Sequence, residues 1–438
     1  MKATSFSYFL QTHRGFLLVL AAAFFLGKIV APLGMGILMI AAMVWLFQGK
    51  SSYLALLLMF VLLWGDSRTR SLLFFKPMRI ALILTCTVHS IRLIAAKKIK
   101  FQSIILTTIP FFIIAVLGVF KSPSPVVSFS KMISYFCLLF TALHHFQYEI
   151  LRKSRPPFLL KVLYLFCSLT FMSVIFRWIT PDLTMFGERF RGFLGNPNGF
   201  GNFHTLLVPL VAMAWHLYPS TRKTLRYLIF GLIAGLILAQ SRTAIGSIMI
   251  YLFLLYFYQR GNFMKWFFWL AVMPTLIVFN TLVSIEDIVE LLNLEEFFRI
   301  ESLKSGAGRF LAWEFGWAQI KLNPLIGRGF AYEEIYFHSM RDFFIATEHN
   351  GGMHNSFLTF VMNNGLIGAV LFVLFLIILF NQHQAPKRAM PFLIAAIISA
   401  NFESWLNSSL NAFSILFYLN IVVLIQYPNL KRLARFYR

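Results

Sequence analysis

The sequence predicts an all-α polytopic membrane protein with twelve to fourteen transmembrane helices. Continuous apolar runs recur from end to end, and crossing the hydrocarbon layer takes about 20 such residues per helix. The 438-residue chain is 59% apolar and only 13% charged, with a mean hydropathy of +0.74, too little polar surface for a soluble domain. Basic clusters recur in alternate connections between the runs, the mark of cytoplasmic loops. A β-barrel is excluded, because its strands would alternate apolar and polar residues with period two.

In chain order the predicted spans are 15–31, 32–48, 51–65, 77–95, 101–120, 127–147, 157–178, 199–219, 224–240, 243–260, 264–283, 356–381, 388–405 and 410–427. Lys2 and Arg14 precede the first run and no small-residue cleavage site follows it, so it reads as an uncleaved span. Lys97, Lys98 and Lys100, then Arg152, Lys153 and Arg155, then Arg222, Lys223 and Arg226 fall in alternate loops. Arg260 with Lys265, Lys387 with Arg388, and Lys431, Arg432, Arg435 and Arg438 in the tail continue the pattern. Both termini are therefore expected in the cytoplasm. One segment breaks the alternation: Asp66 to Lys76 carries Arg68, Arg70 and Lys76 yet falls outside. Either the chain before it holds fewer spans or one is re-entrant. Cys86, Cys137 and Cys167 each lie within an apolar run and read as small buried hydrophobes.

The chain divides into residues 1–283 (helices with short loops), 284–355 (an extracytoplasmic loop) and 356–438 (further helices and a basic tail). The loop holds 11 of the 16 acidic residues against Arg299, Lys304, Arg309, Lys321, Arg328 and Arg341, while the whole chain carries +23. The basic excess is thus a topology signal, and no nucleic-acid partner is expected. Within the loop, Phe310, Trp313, Trp317 and Ile320 recur at helical spacing from about Gly308 to Leu322, with Arg309 and Trp313 on one face. Gly306-Ala307-Gly308 precedes this helix and Asn323-Pro324 stops it. A second helix is expected over Glu286 to Glu301.

Chemistry-bearing residues gather at the outer edge. Arg242, in the two-residue joint Ser241-Arg242, fits a snorkelling arginine or an anion site, since guanidinium grips phosphate with a bidentate fork. Arg309 fits a stack on Trp313 or a second anion ligand. Arg189 and Arg191 precede the turn Gly195-Asn196-Pro197-Asn198-Gly199 and fit interfacial anchors or substrate ligands. His354 opens the span near Ser356, where the positive end of a helix dipole favours the neutral imidazole that accepts a proton; a helix cap is the other reading. Glu403, within an apolar run beside Asn401, Asn407 and Asn411, is either functional or a helix-end group paired with an arginine. His89, His144, His145, His204 and His216 read as packing or interfacial residues. No histidine pair has metal-ligand spacing with a carboxylate, so no metal is expected. Arginines suit a diphosphate leaving group, histidine suits activation of a hydroxyl, and apolar helices suit a polyprenyl tail. Glycan transfer from a lipid diphosphate to a hydroxyl uses all three.

Four phrases, Ser241-Arg242, Arg309-Phe310-Leu311-Ala312-Trp313, Asn323-Pro324-Leu325-Ile326-Gly327-Arg328-Gly329-Phe330 and His354-Asn355-Ser356-Phe357-Leu358, complete the pattern. With them the chain, from about residue 180 onward, resembles the superfamily of O-antigen ligases and polymerases, bacterial membrane glycosyltransferases. The resemblance implies a GT-C-like fold in the bacterial cytoplasmic (inner) membrane and a polyprenyl-diphosphate-linked glycan as donor. It implies lipid A-core or another glycan as acceptor, membrane lipid as surroundings, and neither metal nor other cofactor. By the same resemblance Arg242 and Arg309 hold the diphosphate, and His354 is the general base of an inverting transfer. Ala239 stands where ligases often carry Thr, which leaves ligase and polymerase both open. A polysaccharide flippase is the reading from another class; its polar groups would gather at the membrane midplane.

Overall fold

A computed structural model of the chain describes residues 4–67, 69, 72–260, 309–346 and 352–437. The apolar runs fold as helices that double back on their neighbours. A short α1 (Phe6–Thr12) meets α2 (Arg14–Ile29) at 73°, and α3 (Ala31–Phe47) and α4 (Ser51–Gly65) follow. Next come α5 (Phe75–Ala95) and α6 (Ile109–Val119), the latter entered through a 3-10 segment at Ser103–Thr108. Then α7 (Pro125–Thr141) passes through a π-helical turn at Ala142–Phe146 into α8 (Gln147–Leu151). After α9 (Phe158–Ile179) and α10 (Pro181–Thr184), a small antiparallel hairpin pairs β1 (Met185–Phe186) with β2 (Arg189–Phe190). The next helices are α11 (Pro197–Leu217), α12 (Arg222–Ala239) and α13 (Arg242–Gln259). From Arg309 the order is α14 (Arg309–Leu322), α15 (Tyr332–Ser339), α16 (Arg341–Ala346), α17 (Ser356–Phe380), α18 (Pro386–Phe402), α19 (Ala412–Ile425) and α20 (Tyr427–Ala434).

Helices that are apolar all round belong in the centre. Every residue of α4 from Leu54 to Gly65 is buried, and so is every residue of α19 from Ala412 to Leu424. Around them α2, α3, α5, α7, α9, α12, α13 and α17 present large apolar side chains outward, among them Phe25, Phe47, Trp178, Phe230 and Met249. A sleeve of exposed apolar residues around an apolar core is what lipid requires of an integral membrane protein.

Each interval predicted as a span holds a helix, apart from 264–283, which lies outside the described residues. By length and apolarity alone, however, four helices among the described residues suffice to cross a membrane, or six if each bent pair is one span. Part of the gap from twelve to fourteen has a physical reason: α3, α4 and the Ser103–Val119 segment are apolar but shorter. The segment Asp66–Lys76 lies at the same end of the bundle as the turn before α11, where Asp66 Oδ2 accepts from Gly195 N at 3.3 Å. The expected helix Glu286–Glu301, Gly306-Ala307-Gly308, Arg68, Arg70 and Lys265 lie outside the described residues.

Asparagine caps mark one end of the bundle. Asn196, Asn355 and Asn411 open α11, α17 and α19 by accepting backbone N–H groups of the first turn with their side-chain oxygens. Packed on this end is a small helical unit. Ala312 and Ile320 of α14 join Tyr332, Phe337, Phe344, Met353 and Met362 in its core. The expected stripe is rotated: Trp317 is half exposed, and Gly316 lies against Met353, where a β-carbon would come within 2.2 Å of the methionine methyl. Small residues at 312 and 316 let that side chain approach.

The phrase Asn323–Phe330 wedges this unit into a membrane helix. α17 breaks at Gly365, whose φ of 67° and ψ of 178° suit glycine alone. The break strands backbone groups, and the wedge takes them up. Leu366 N donates to Pro324 O (2.7 Å), Ile367 N donates to Leu325 O (3.1 Å), and Gly329 N donates to Asn363 O (2.8 Å). Irregular backbone at such a depth persists only when protein satisfies it.

Candidate functional site

The carboxylate of Glu403 joins two distant parts of the chain. It is the first residue past α18, in extended conformation, so its side chain leaves the helix end. Its Oε1 accepts from Arg309 Nη2 at 3.0 Å, and its Oε2 lies 3.1 Å from His354 Nδ1. Burial opposes its ionisation, but His354, Arg309 and a hydrogen bond from Asn198 outweigh that and hold the carboxyl below its usual range. An ionised carboxylate only accepts hydrogen bonds, so His354 Nδ1 carries a hydrogen, and in the neutral ring the lone pair is then on Nε2.

The motif His354-Asn355-Ser356 stitches one loop in place. Asn355 N donates to Ser404 Oγ (2.9 Å) and Asn355 Nδ2 to Asn401 Oδ1 (3.1 Å). Ser356 Oγ donates to Glu403 O (2.6 Å) and accepts from Trp405 N (3.1 Å) and Leu406 N (3.2 Å). Asn355 is the helix cap, which leaves His354 outside that role. The His354 backbone is left-handed, with φ of 47°, a conformation that costs a non-glycine residue about 1–2 kcal/mol. Flanking bonds hold it there: Trp313 Nε1 donates to Met353 O at 2.9 Å, and Met353 N donates to Glu333 Oε1 at 2.7 Å. Glu333 is buried; burial pushes its carboxyl up against the pull of the Met353 N–H and of His354. Arg309 lies over the Phe402 ring, 5.9 Å from its centroid, rather than on Trp313.

The remaining arginines serve the same end differently. Arg189 Nη2 donates to Ala239 O (3.1 Å), Gln240 O (3.3 Å) and Asn198 Oδ1 (3.3 Å), and so meets carbonyls left open where α12 ends. Arg191 is buried, and its Nη2 donates to Thr69 Oγ1 (2.9 Å) and Asp182 O (3.0 Å). Arg242 begins α13. A β-carbon at Gly201 would press on Ser241 Oγ, and Ser399 Oγ donates to Asn202 Oδ1, so α13 starts where α11 starts and α18 ends. Asn198 bonds both Glu403 and Arg189, so contacts run from His354 to the joint before Arg242.

Residues 227–373 match the family model described as O-antigen ligase. Over this interval the chain is similar to O-antigen ligases. No curated protein matches the chain. The matched interval runs from α12 into α17 and contains Arg242, Arg309 and His354. Glu403, Asn198, Arg189 and Arg191 lie outside that interval, although Glu403 and Asn198 bond directly into the site. Sequence reasoning missed Asn198 and Glu333 as members. The only signal for Asn198 was its place in a turn beside two arginines, and Glu333 was hidden among loop acids that report topology.

Proposed function

We propose that this protein transfers a glycan from a polyprenyl-diphosphate carrier to an acceptor hydroxyl at the outer face of the bacterial inner membrane. The observation that carries this reading is the Glu403 bridge between Arg309 and His354. His354 Nε2 takes the proton of the acceptor hydroxyl, whose oxygen attacks the anomeric carbon from the side opposite the diphosphate. The glycosidic carbon–oxygen bond breaks with inversion, and its electron pair stays on the diphosphate. Glu403 orients the imidazole and balances the charge it gains. Arg242 and Arg309 hold the leaving group, with Arg189 and Arg191 fixing the walls beside it. The N-termini of α11, α13, α17 and α19 converge on the same end, which adds positive potential for an anion. In this reading residues 284–355 are an extracytoplasmic loop that carries part of the site, and both termini lie in the cytoplasm. The gathering of these groups at one end of the bundle favours this enzyme over a flippase.

The test is transfer in vitro by the purified, reconstituted protein from a defined lipid-diphosphate glycan, offering lipid A-core or a second lipid-linked repeat as acceptor. Ligase activity uses the first and polymerase activity the second. His354→Ala is expected to lower kcat by about two to four orders of magnitude with normal membrane insertion. Wild-type product from His354→Ala overturns the base assignment. Loss of all acceptor use by the wild type overturns the reaction.

The carrier's tail needs an apolar path from the diphosphate. A crevice of about 250 Å³ between α11, α12 and α13 lies below the Ser241-Arg242 joint, lined by His204, Val208, Trp215, Leu236 and Leu252. A larger one of about 820 Å³, with Phe24, Phe60, Trp64, Tyr164 and Leu169 in its walls, lies on another side of the bundle. Proximity to Arg242 favours the smaller for the first isoprene units. Val208→Trp is expected to raise KM for a long-chain donor about tenfold with little change for a short-chain donor, while Leu169→Trp changes neither. The opposite pattern assigns the tail to the larger crevice.

A further inference from the structure

The end of the bundle away from Glu403 holds a basic cavity that the transfer reaction does not use. It measures about 420 Å³ and is lined by Lys98, Lys100, Gln102, His144, Tyr148 and Arg152. We propose that this cavity binds the phosphate headgroup of an anionic membrane lipid.

Three features build it. First, α5 closes with Lys98 N donating to Leu93 O and Lys97 N to Ile94 O, both at 2.9 Å, while Lys97 sits at φ 55°, the seat usually given to glycine. This turn sets Lys98 and Lys100 at the mouth. Second, the π-helical turn at Ala142–Phe146 forms the facing wall, and such turns often mark functional sites. His144 in that turn accepts from Gln102 N through Nε2 (3.0 Å), while its Nδ1 donates to Phe140 O (2.9 Å). Its ring thereby braces the wall and is not a ligand. Third, Arg152 is anchored from beneath. Its Nη1 donates to Ser51 Oγ at 3.1 Å and lies 3.6 Å from Glu149, and its guanidinium faces the Tyr148 ring.

The charge there is not neutralised. Glu149 is fully buried and engaged by Ser51 and Arg152, and among the described residues no carboxylate pairs with the exposed Lys98 or Lys100. A soluble anion needs only the cations. A lipid also needs apolar surface, and Ile99, Leu143 and Leu151 line the same cavity. Phe101 and Leu106 continue that surface outward, both about half exposed. Basic pockets between helices at the membrane surface suit lipid phosphates.

The experiment uses the full-length protein in mild detergent and follows bound phosphatidylglycerol by native mass spectrometry. The Lys98→Gln/Lys100→Gln variant is expected to bind it about tenfold more weakly with unchanged thermal unfolding, and Lys98→Arg/Lys100→Arg to restore binding. The control Lys431→Gln/Arg432→Gln removes equal charge from the exposed tail helix and is expected to bind as the wild type does. Equal weakening in both Gln variants assigns the effect to general surface charge and overturns the proposal. Equal retention of phosphatidylcholine overturns it too, as does displacement of the lipid by inorganic phosphate at matched concentration, which assigns the cavity to a free anion.

Discussion

Glu403→Gln is expected to lower kcat for glycan transfer by about two to four orders of magnitude, with the protein still folded and inserted. The amide keeps the shape of the side chain but has one acceptor where the carboxylate has two. Glu403 now accepts from Arg309 at 3.0 Å and faces His354 Nδ1 at 3.1 Å. In the variant one of those groups meets an N–H₂. If that group is His354, Nδ1 turns acceptor, the hydrogen moves to Nε2, and the base is lost. If it is Arg309, the guanidinium loses the partner that fixes it at the site. Glu403→Asp, shorter but charged, restores part of the rate. Unchanged kcat in Glu403→Gln would remove the carboxylate from the reaction. The sign of the pH dependence follows from the same contacts. The folded Glu403 carboxyl lies below its usual range, so the bridge is fully formed above the ordinary glutamate range. It is lost only as pH falls through the depressed value. The stability it contributes should therefore survive mild acid, which thermal unfolding across pH measures.

Gly365→Ala carries the second large effect, on folding. A β-carbon there would lie 2.2 Å from Leu325 O and 2.4 Å from Ile326 N, and both are backbone atoms that cannot turn away. The dihedral angles also exclude alanine. Relief requires the wedge to withdraw, which exposes the bonds it makes at Asn363, Leu366 and Ile367. The expected cost is about 3–5 kcal/mol, read as lower thermal stability in detergent and faster proteolysis of the small helical unit. Gly36→Ala is the control, because nothing lies within 4 Å of its β-carbon position. Equal stability of the two variants would mean that the wedge contributes nothing.

The sequence foretold the helices well because hydropathy is local: each run reports its own surroundings. Arg309 and His354 were also legible, since a charged residue or histidine at the edge of an apolar run stands out. Their meeting through Glu403 was not, because it joins residues 49 and 94 positions apart and depends on how α18 ends. The break in α17 left only a faint mark, Asn363-Asn364-Gly365 inside an apolar span. Arg189 and Arg191 look alike in sequence, and only their acceptors tell that both secure backbone. Trp317 misled because periodicity counts bulk and overlooks what Ala312 and Gly316 permit.

The wedge at Gly365 gives the small helical unit a fixed point of reference on a membrane helix. Arg309 lies at one end of α14 and the wedge follows the other, so the helix is pinned at both ends, by Glu403 and by the broken backbone of α17. Any shift of the wedge along α17 would therefore carry Arg309 with it and change its reach to Glu403.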